Sequence, residues 1–206
     1  VLMAQGTFQD ITEQEHLLGE LETLFGMSNA LICIADINSA SFIRTNPAFH
    51  SILGYTEEEM RGRRFADFIH PEDQASTARI VKELLQEGRN VVAFENRYRH
   101  KDGTYRRLLW NSSPLPEQGI TYAVAIDITA MKATAESLAR SEKRYRKAQQ
   151  VGHVGSWEYD IRSDTFWGSE EGLKIYGFNE KTDTHTAASV MEHVIERDKV
   201  EQAMVD

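Results

Sequence analysis

Asp127-Ile128-Thr129 stands where an alternating run, residues 119–126, meets a long charged helical pattern, residues 130–150. This junction constrains the chain strongly. A sheet period of two gives way to a helical period with no loop between them. The same triplet occurs at Asp10-Ile11-Thr12, again ahead of a helical pattern. The chain therefore reads as repeated units joined end to end by helices. A shape change in one unit can then become a movement of the next.

A chain of 206 residues holds one or two domains. Its 32 acidic against 23 basic residues give a net charge of −9, which argues against a nucleic-acid surface and reads as a solvated exterior. Cys33 is the only cysteine, inside the apolar run 30–34, so a buried reduced thiol is expected and a disulfide framework is excluded. No apolar run approaches the roughly 18 residues that span a bilayer, and no signal-peptide pattern is present. The fragment reads as cytoplasmic and free of membrane contact, with any membrane span of a parent protein outside it.

Residues 3–9 read as the last strand of a preceding unit. Thr12, Glu13, Gln14 and Glu15 have capping-box spacing. Leu17, Leu21 and Leu24 follow at spacings of 4 and 3, flanked by Leu18 and Phe25. Such a narrow stripe suits pairing with another helix or packing on its own domain. Strands are expected at 31–36 and 42–45, and a short helix opening at Asn46-Pro47-Ala48-Phe49 and stopping at Gly54-Tyr55. A capping box at 56–59 leads a further helical turn. His70-Pro71-Glu72-Asp73 precedes a helix over 74–86 with Ile80, Val81, Leu84 and Leu85 on its apolar face, closed by Gly88. Three strands complete the unit: 91–100, 104–112 and 120–127. The first two join through Lys101-Asp102-Gly103, where Asp-Gly is expected to supply positive φ angles. Pro114, Pro116 and Gly119 mark a loop. Two strands, a helical cluster and three strands make an α+β domain with an antiparallel sheet.

Met131, Leu138 and Tyr145 recur every seven residues along the second helical pattern. The runs 155–160 and 165–167 then repeat the two-strand opening, Tyr176-Gly177-Phe178 repeats the stop at Gly54-Tyr55, and Asp198 falls where Asp73 would be. The closing strands of this second unit are not within the chain. From Asp10 to Asp36 is 26 residues and from Asp127 to Asp160 is 33, a difference of one heptad. A helix lengthened by seven residues keeps nearly the same face toward a partner, drifting about 20°.

Residues 29–129 resemble a PAS domain, a match carried by Asn46-Pro47-Ala48-Phe49, Leu53-Gly54-Tyr55, Glu57 to Met60 with Gly62, His70-Pro71-Glu72-Asp73, Lys101-Asp102-Gly103 with Trp110, and Asp127-Ile128-Thr129. Residues 1–12 then look like the end of an upstream PAS domain, 13–28 a helical linker, 130–150 a coiled-coil-like linker, and 151–206 the N-terminal half of another PAS domain. In that half Ile195-Glu196 replace the His-Pro pair. The resemblance implies a five-stranded antiparallel sheet with flanking short helices that enclose a pocket. It also implies a sensory relay module with its output domain elsewhere in the parent chain, a sensor histidine kinase or a cyclic-di-GMP enzyme.

Strand parity puts Phe94, Asn96 and Tyr98 on one face, matched by Leu108, Trp110 and Ser112 on the next strand. On the last strand, Tyr122, Val124 and Ile126 are large where Thr121, Ala123 and Ala125 are small; on the first, Cys33 and Ala35 are the small set. If the small sets face the helices, a cavity fits there, and the large set forms an apolar outer face. The alternative is that Phe65, Phe68, Phe94 and Trp110 fill the interior. Pocket candidates are thus Cys33, Ala35, Phe49, Phe65, Phe94, Asn96, Tyr98, Leu108, Trp110, Ala123 and Ala125; relay candidates are Asp127 and Thr129, the latter as a helix cap.

Gly62-Arg63-Arg64-Phe65 replaces the Gly-x-Asn-Cys segment of the cysteinyl-flavin photosensors this family includes, and residues 74–86 hold no histidine for the family's haem mode. Non-covalent flavin or a small metabolite stays open. No pair of His, Cys or acidic residues has ligand spacing on a common element. No phosphate loop or nucleophile elbow occurs. No catalytic residue or metal ligand is therefore assigned, and the fragment is not read as an enzyme. The expected partner is a second copy, met through the linker helices and the outer sheet face. A ligand-free dimerisation and spacer module is the rival reading.

Overall fold

Alternation sets the sheet. The computed structural model describes residues 12–178 together with 185, 186, 188 and 190. The expected strand over 3–9, the first triplet up to Ile11, the side chains of the 12–15 capping box and of Leu84, and Ile195, Glu196 and Asp198 lie outside the described residues. Strands β1 (Leu31–Asp36), β2 (Ser41–Thr45), β3 (Val91–Arg99), β4 (Tyr105–Leu115) and β5 (Ile120–Asp127) form one antiparallel sheet in the order β2-β1-β5-β4-β3. The last strand returns to the centre beside the first, with Leu31 opposite Ala125 and Cys33 opposite Ala123. Leu31, Cys33, Ala35, Thr121, Ala123 and Ala125 are buried, whereas Tyr122, Val124 and Ile126 are exposed. Small residues on the two central strands leave room for the aromatic rings above them.

Those rings come from the helical cluster. Helices α1 (Thr12–Met27), α2 (Ala48–Leu53), α3 (Glu57–Met60) and α4 (Pro71–Ile80) flank the sheet, with a 3₁₀ turn at Phe65–Asp67. Phe42 makes edge-on contacts with Phe49, Phe65 and Phe68. Gly54 ends α2 at φ 80°, and a Cβ there would sit 3.0 Å from the Lys101 Cβ, so this stop demands glycine.

Several boundaries differ from the sequence reading. Helix α4 begins at Pro71 rather than 74, because His70 Nδ1 accepts the Glu72 N–H as N-cap. Its continuation Val81–Leu85 is a π-helical turn. Strand β4 runs to Leu115 rather than 112 and takes Pro114 opposite Thr121. A proline is tolerated there because β3 pairing ends at Ser112, which leaves that side of β4 open. In the β3–β4 turn only Gly103 has positive φ; Asp102 instead accepts from the Thr104 N–H and hydroxyl at 2.8 and 2.7 Å.

The chain divides into two units between Lys132 and Ala133, within helix α5 (Thr129–Gly152). The second unit contains a hairpin of β6 (Trp157–Asp160) and β7 (Thr165–Gly168), followed by α6 (Glu170–Tyr176).

Candidate functional site

Where the small residues of β1 and β5 face α4, the interior is not completely filled. A cavity of about 60 Å³ lies between the sheet and the α4–π segment. Of the pocket candidates, Cys33, Ala35, Phe65, Phe94, Asn96, Tyr98, Trp110 and Ala123 line it. Phe49, Leu108 and Ala125 do not; they are packed solidly in the neighbouring aromatic core. Phe42, Thr77, Ile80, Val81, Leu85, Val91, Ser112 and Thr121 line it as well. Ser112 and Thr121 carry the inward parity in the sequence, and Thr77 lies one helical turn from Ile80 and Val81. Phe42 gives no such signal, since its ring reaches the site from an edge strand.

The polar groups inside satisfy one another. The Trp110 indole N–H donates to Asn96 Oδ1 at 2.9 Å, and Asn96 Nδ2 donates to Thr77 Oγ1 at 3.1 Å. The Thr77 hydroxyl donates in turn to the Asp73 carbonyl at 2.9 Å. Such a chain is worth roughly 1 kcal/mol per bond, and more to leave broken than to make. Asn96 thus bonds to side chains on β4 and α4 rather than to nearby backbone. Burial pushes the Cys33 thiol up to about 12 and also raises the Tyr98 phenol, so neither is ionised near neutrality. The cavity is well below the roughly 300–1,000 Å³ of a cofactor-sized site.

Helix α4 is held at its start and irregular at its end. Asp73 accepts the Arg97 N–H at 2.8 Å and the guanidinium at 2.9 and 2.6 Å, tying the helix to β3. The Arg97 guanidinium holds the Asp73 carboxyl below its ordinary value. The other end passes into the π turn, whose Val81 and Leu85 border the cavity. Irregular helical turns of this kind often mark functional positions.

At the other end of the sheet lies the junction. Buried Ile128 donates its N–H to the Arg107 carbonyl at 2.9 Å. The Asp127 carboxylate accepts the Thr129 N–H at 2.8 Å and the Thr129 hydroxyl. Thr129 Oγ1 accepts the Arg107 N–H of β4 at 2.8 Å. Lys132 meets Glu95 of β3 at 2.8 Å. Asp127 therefore takes the first N–H of α5, while the threonine oxygen, expected to cap the helix, is engaged by the neighbouring strand. Both relay candidates sit in this cluster.

Two apolar surfaces remain outside. Helix α1 is pinned through Glu22 to Arg44 at 3.0 Å, with the guanidinium 4.5 Å above the Phe25 ring, while Leu17, Leu21 and Leu24 stay exposed. Tyr122, Val124 and Ile126 are exposed on the outer sheet face. Among the described residues no helix is long and apolar enough to cross a membrane, and no group of three or more His, Cys, Asp or Glu could hold a metal.

A family model described as the PAS fold matches residues 42–125. A curated relative, the probable diguanylate cyclase DgcE of Escherichia coli (strain K12), is 28% identical over 171 residues, 80% of this chain. The chain spans 15% of that protein's length. Among solved structures, an RNA-binding light-oxygen-voltage receptor superposes with a TM-score of 0.52 at 18% identity, over 69% of this chain and 42% of that one. A domain of a sensory box sensor histidine kinase/response regulator from Geobacter sulfurreducens gives 0.49 at 19% identity, over 57% of this chain and 100% of that one. At 18% identity the likeness to the light-oxygen-voltage receptor speaks to the fold alone.

Proposed function

We propose, from the premise that this chain carries a PAS domain, that it is a sensory relay module of a signalling protein. A change in the interior alters the sheet, and the sheet biases the start of α5. The observation that carries this reading is the Thr129–Arg107 hydrogen bond, which joins the first residue of the helix to the strand that also carries Trp110 of the cavity. Asp127 and Thr129 are the relay pair, and a small non-covalent metabolite is the stimulus the interior suits better than flavin or haem. The likeness to a diguanylate cyclase supports a cyclase as the output domain of the parent chain, with a histidine kinase as the alternative. Residues 130–150 serve as the helical linker and 151–206 as the N-terminal half of a following PAS unit, and the module works in the cytoplasm.

Asp127→Ala should leave the circular dichroism unchanged while the amides of Thr129 to Lys132 exchange about fivefold faster, the effect of losing a cap worth about 1 kcal/mol. Thr77→Val, which cuts the interior chain of hydrogen bonds, should also alter exchange at those same amides. Unfolding of the first variant, or no response to the second, would sink the relay.

A second reading is favoured by two exposed apolar surfaces, the stripe of Leu17, Leu21 and Leu24 and the set Tyr122, Val124 and Ile126. These surfaces suit a second copy of the chain, so that the module also dimerises. Leu21→Glu with Val124→Glu should convert a dimer to a monomer in sedimentation; an unchanged mass would remove this role.

A further inference from the structure

Beyond the interior cavity lies a groove of about 230 Å³ between α4, the β1–β2 turn and the 3₁₀ turn at Phe65–Asp67. Phe65, Thr77 and Val81 border both spaces. The charged residues of the groove are Arg64 and Lys82, and no carboxylate borders it, although the chain as a whole carries a net charge of −9. Among the described residues neither cation has an ion-pair partner. The inner cavity is lined mostly by aliphatic and aromatic groups, and its Asn96 and Thr77 are bonded to each other.

We propose that groove and cavity are two halves of one binding site for an amphipathic carboxylate, with the Phe65 ring as the gate between them. An apolar tail passes the ring into the interior, and the carboxylate stays at the rim with Arg64 and Lys82. An arginine fork matches a carboxylate in geometry as well as in charge. The gate works by side-chain rotation. The Phe65 backbone is tied by its N–H to the Ala40 carbonyl at 2.9 Å, while its ring is only partly buried and rests edge-on against Phe42 at 4.9 Å. The π turn supplies the opposite wall through Val81, so widening that turn and rotating Phe65 enlarge the same space. The site deepens the sensory reading and rests on it only for its consequence, not for its occupancy.

The test titrates the chain with decanoate and, in parallel, with decanol, following the Trp110 indole N–H resonance, which is assigned with Trp110→Phe. Decanoate should shift that resonance, and Arg64→Gln with Lys82→Gln should weaken it at least tenfold while leaving decanol unaffected. Phe65→Ala should speed binding; Phe65→Leu serves if the alanine variant fails to fold by circular dichroism. Decanoate binding that is indifferent to the two cations, or no binding to any Phe65 variant that folds, overturns the proposal. Exchange at the amides of Thr129 to Lys132, read in the same samples, separates the two ideas. Binding without a response there removes the relay and keeps the site. Altered exchange in Thr77→Val without decanoate binding does the reverse.

Discussion

The β1–β2 hairpin with α2 and the β6–β7 hairpin with α6 use the same local hydrogen bonds in different surroundings. Asp36 accepts from the N–H groups of Asn38 and Ser39, and Asp160 from those of Arg162 and Ser163. Asn46 donates its N–H to the Ile32 carbonyl and accepts the Ile32 N–H on its side chain; Ser169 does both with Ser156. Gly54 and Gly177 end the two helices at φ 80° and 79°. Yet β1 pairs on both edges, with β2 and β5, whereas among the described residues β6 pairs with β7 alone. Buried positions alternate along β1 but not along β6, where Trp157 is 54% exposed. Local bonds can be written twice in a sequence, but burial comes from distant strands.

That contrast is open to measurement, and core truncation is its largest test. Phe42→Ala should destabilise the first unit by about 3–5 kcal/mol in urea denaturation, as deletion of a fully packed ring does. Phe166→Ala, at the equivalent place in the second unit, should cost distinctly less, read by amide exchange at Tyr159. Equal losses would break the comparison.

The bracket residues come next. Asn46 also donates to the carbonyls of Phe25, Ser28 and Ala30, so Asn46→Ala should cost about 2–3 kcal/mol. Ser169→Ala, which removes a helix cap on Gly172 as well as the Ser156 bond, should cost about 1 kcal/mol. A serine effect as large as the asparagine effect would show that the second unit leans on this bond as much as the first.

The smallest effect should be shared by both units. Backbone N–H groups lower the Asp36 and Asp160 carboxyls below their ordinary 3.8, led by Ser39 and by Arg162. A lowered carboxyl stabilises fully above its unfolded value and loses that contribution as pH falls through the folded one. Stability should therefore decline below about pH 4. Asp36→Asn or Asp160→Asn, which keep an acceptor but do not titrate, should flatten the acid limb of their own unit slightly and to a similar extent. Acid profiles unchanged by either variant would mean that the turns contribute nothing to acid sensitivity.

Much of the fold was legible because it follows from period and turn chemistry. The small Thr121, Ala123 and Ala125 against the large Tyr122, Val124 and Ile126 mark two unequal faces of the central strand, and burial of the small set decides which faces inward. Other features were hidden. Asp73 and Arg97 are 24 residues apart, so nothing local announces their pairing. Thr129 has the chemistry of a helix cap, and only the approach of the Arg107 N–H assigns its oxygen to β4.

By itself the sequence determined the order of the elements and which face of each strand is apolar, since these depend on neighbours within a few residues. The tertiary structure alone decided the interior: that Phe42 reaches it, that Phe49, Leu108 and Ala125 do not line the space, that Val81–Leu85 winds as a π turn, and that Phe65 stands between a charged groove and a small cavity. A cavity is what remains after side chains from distant segments have packed, so its size and walls are set by their sum and not by any one stretch of chain.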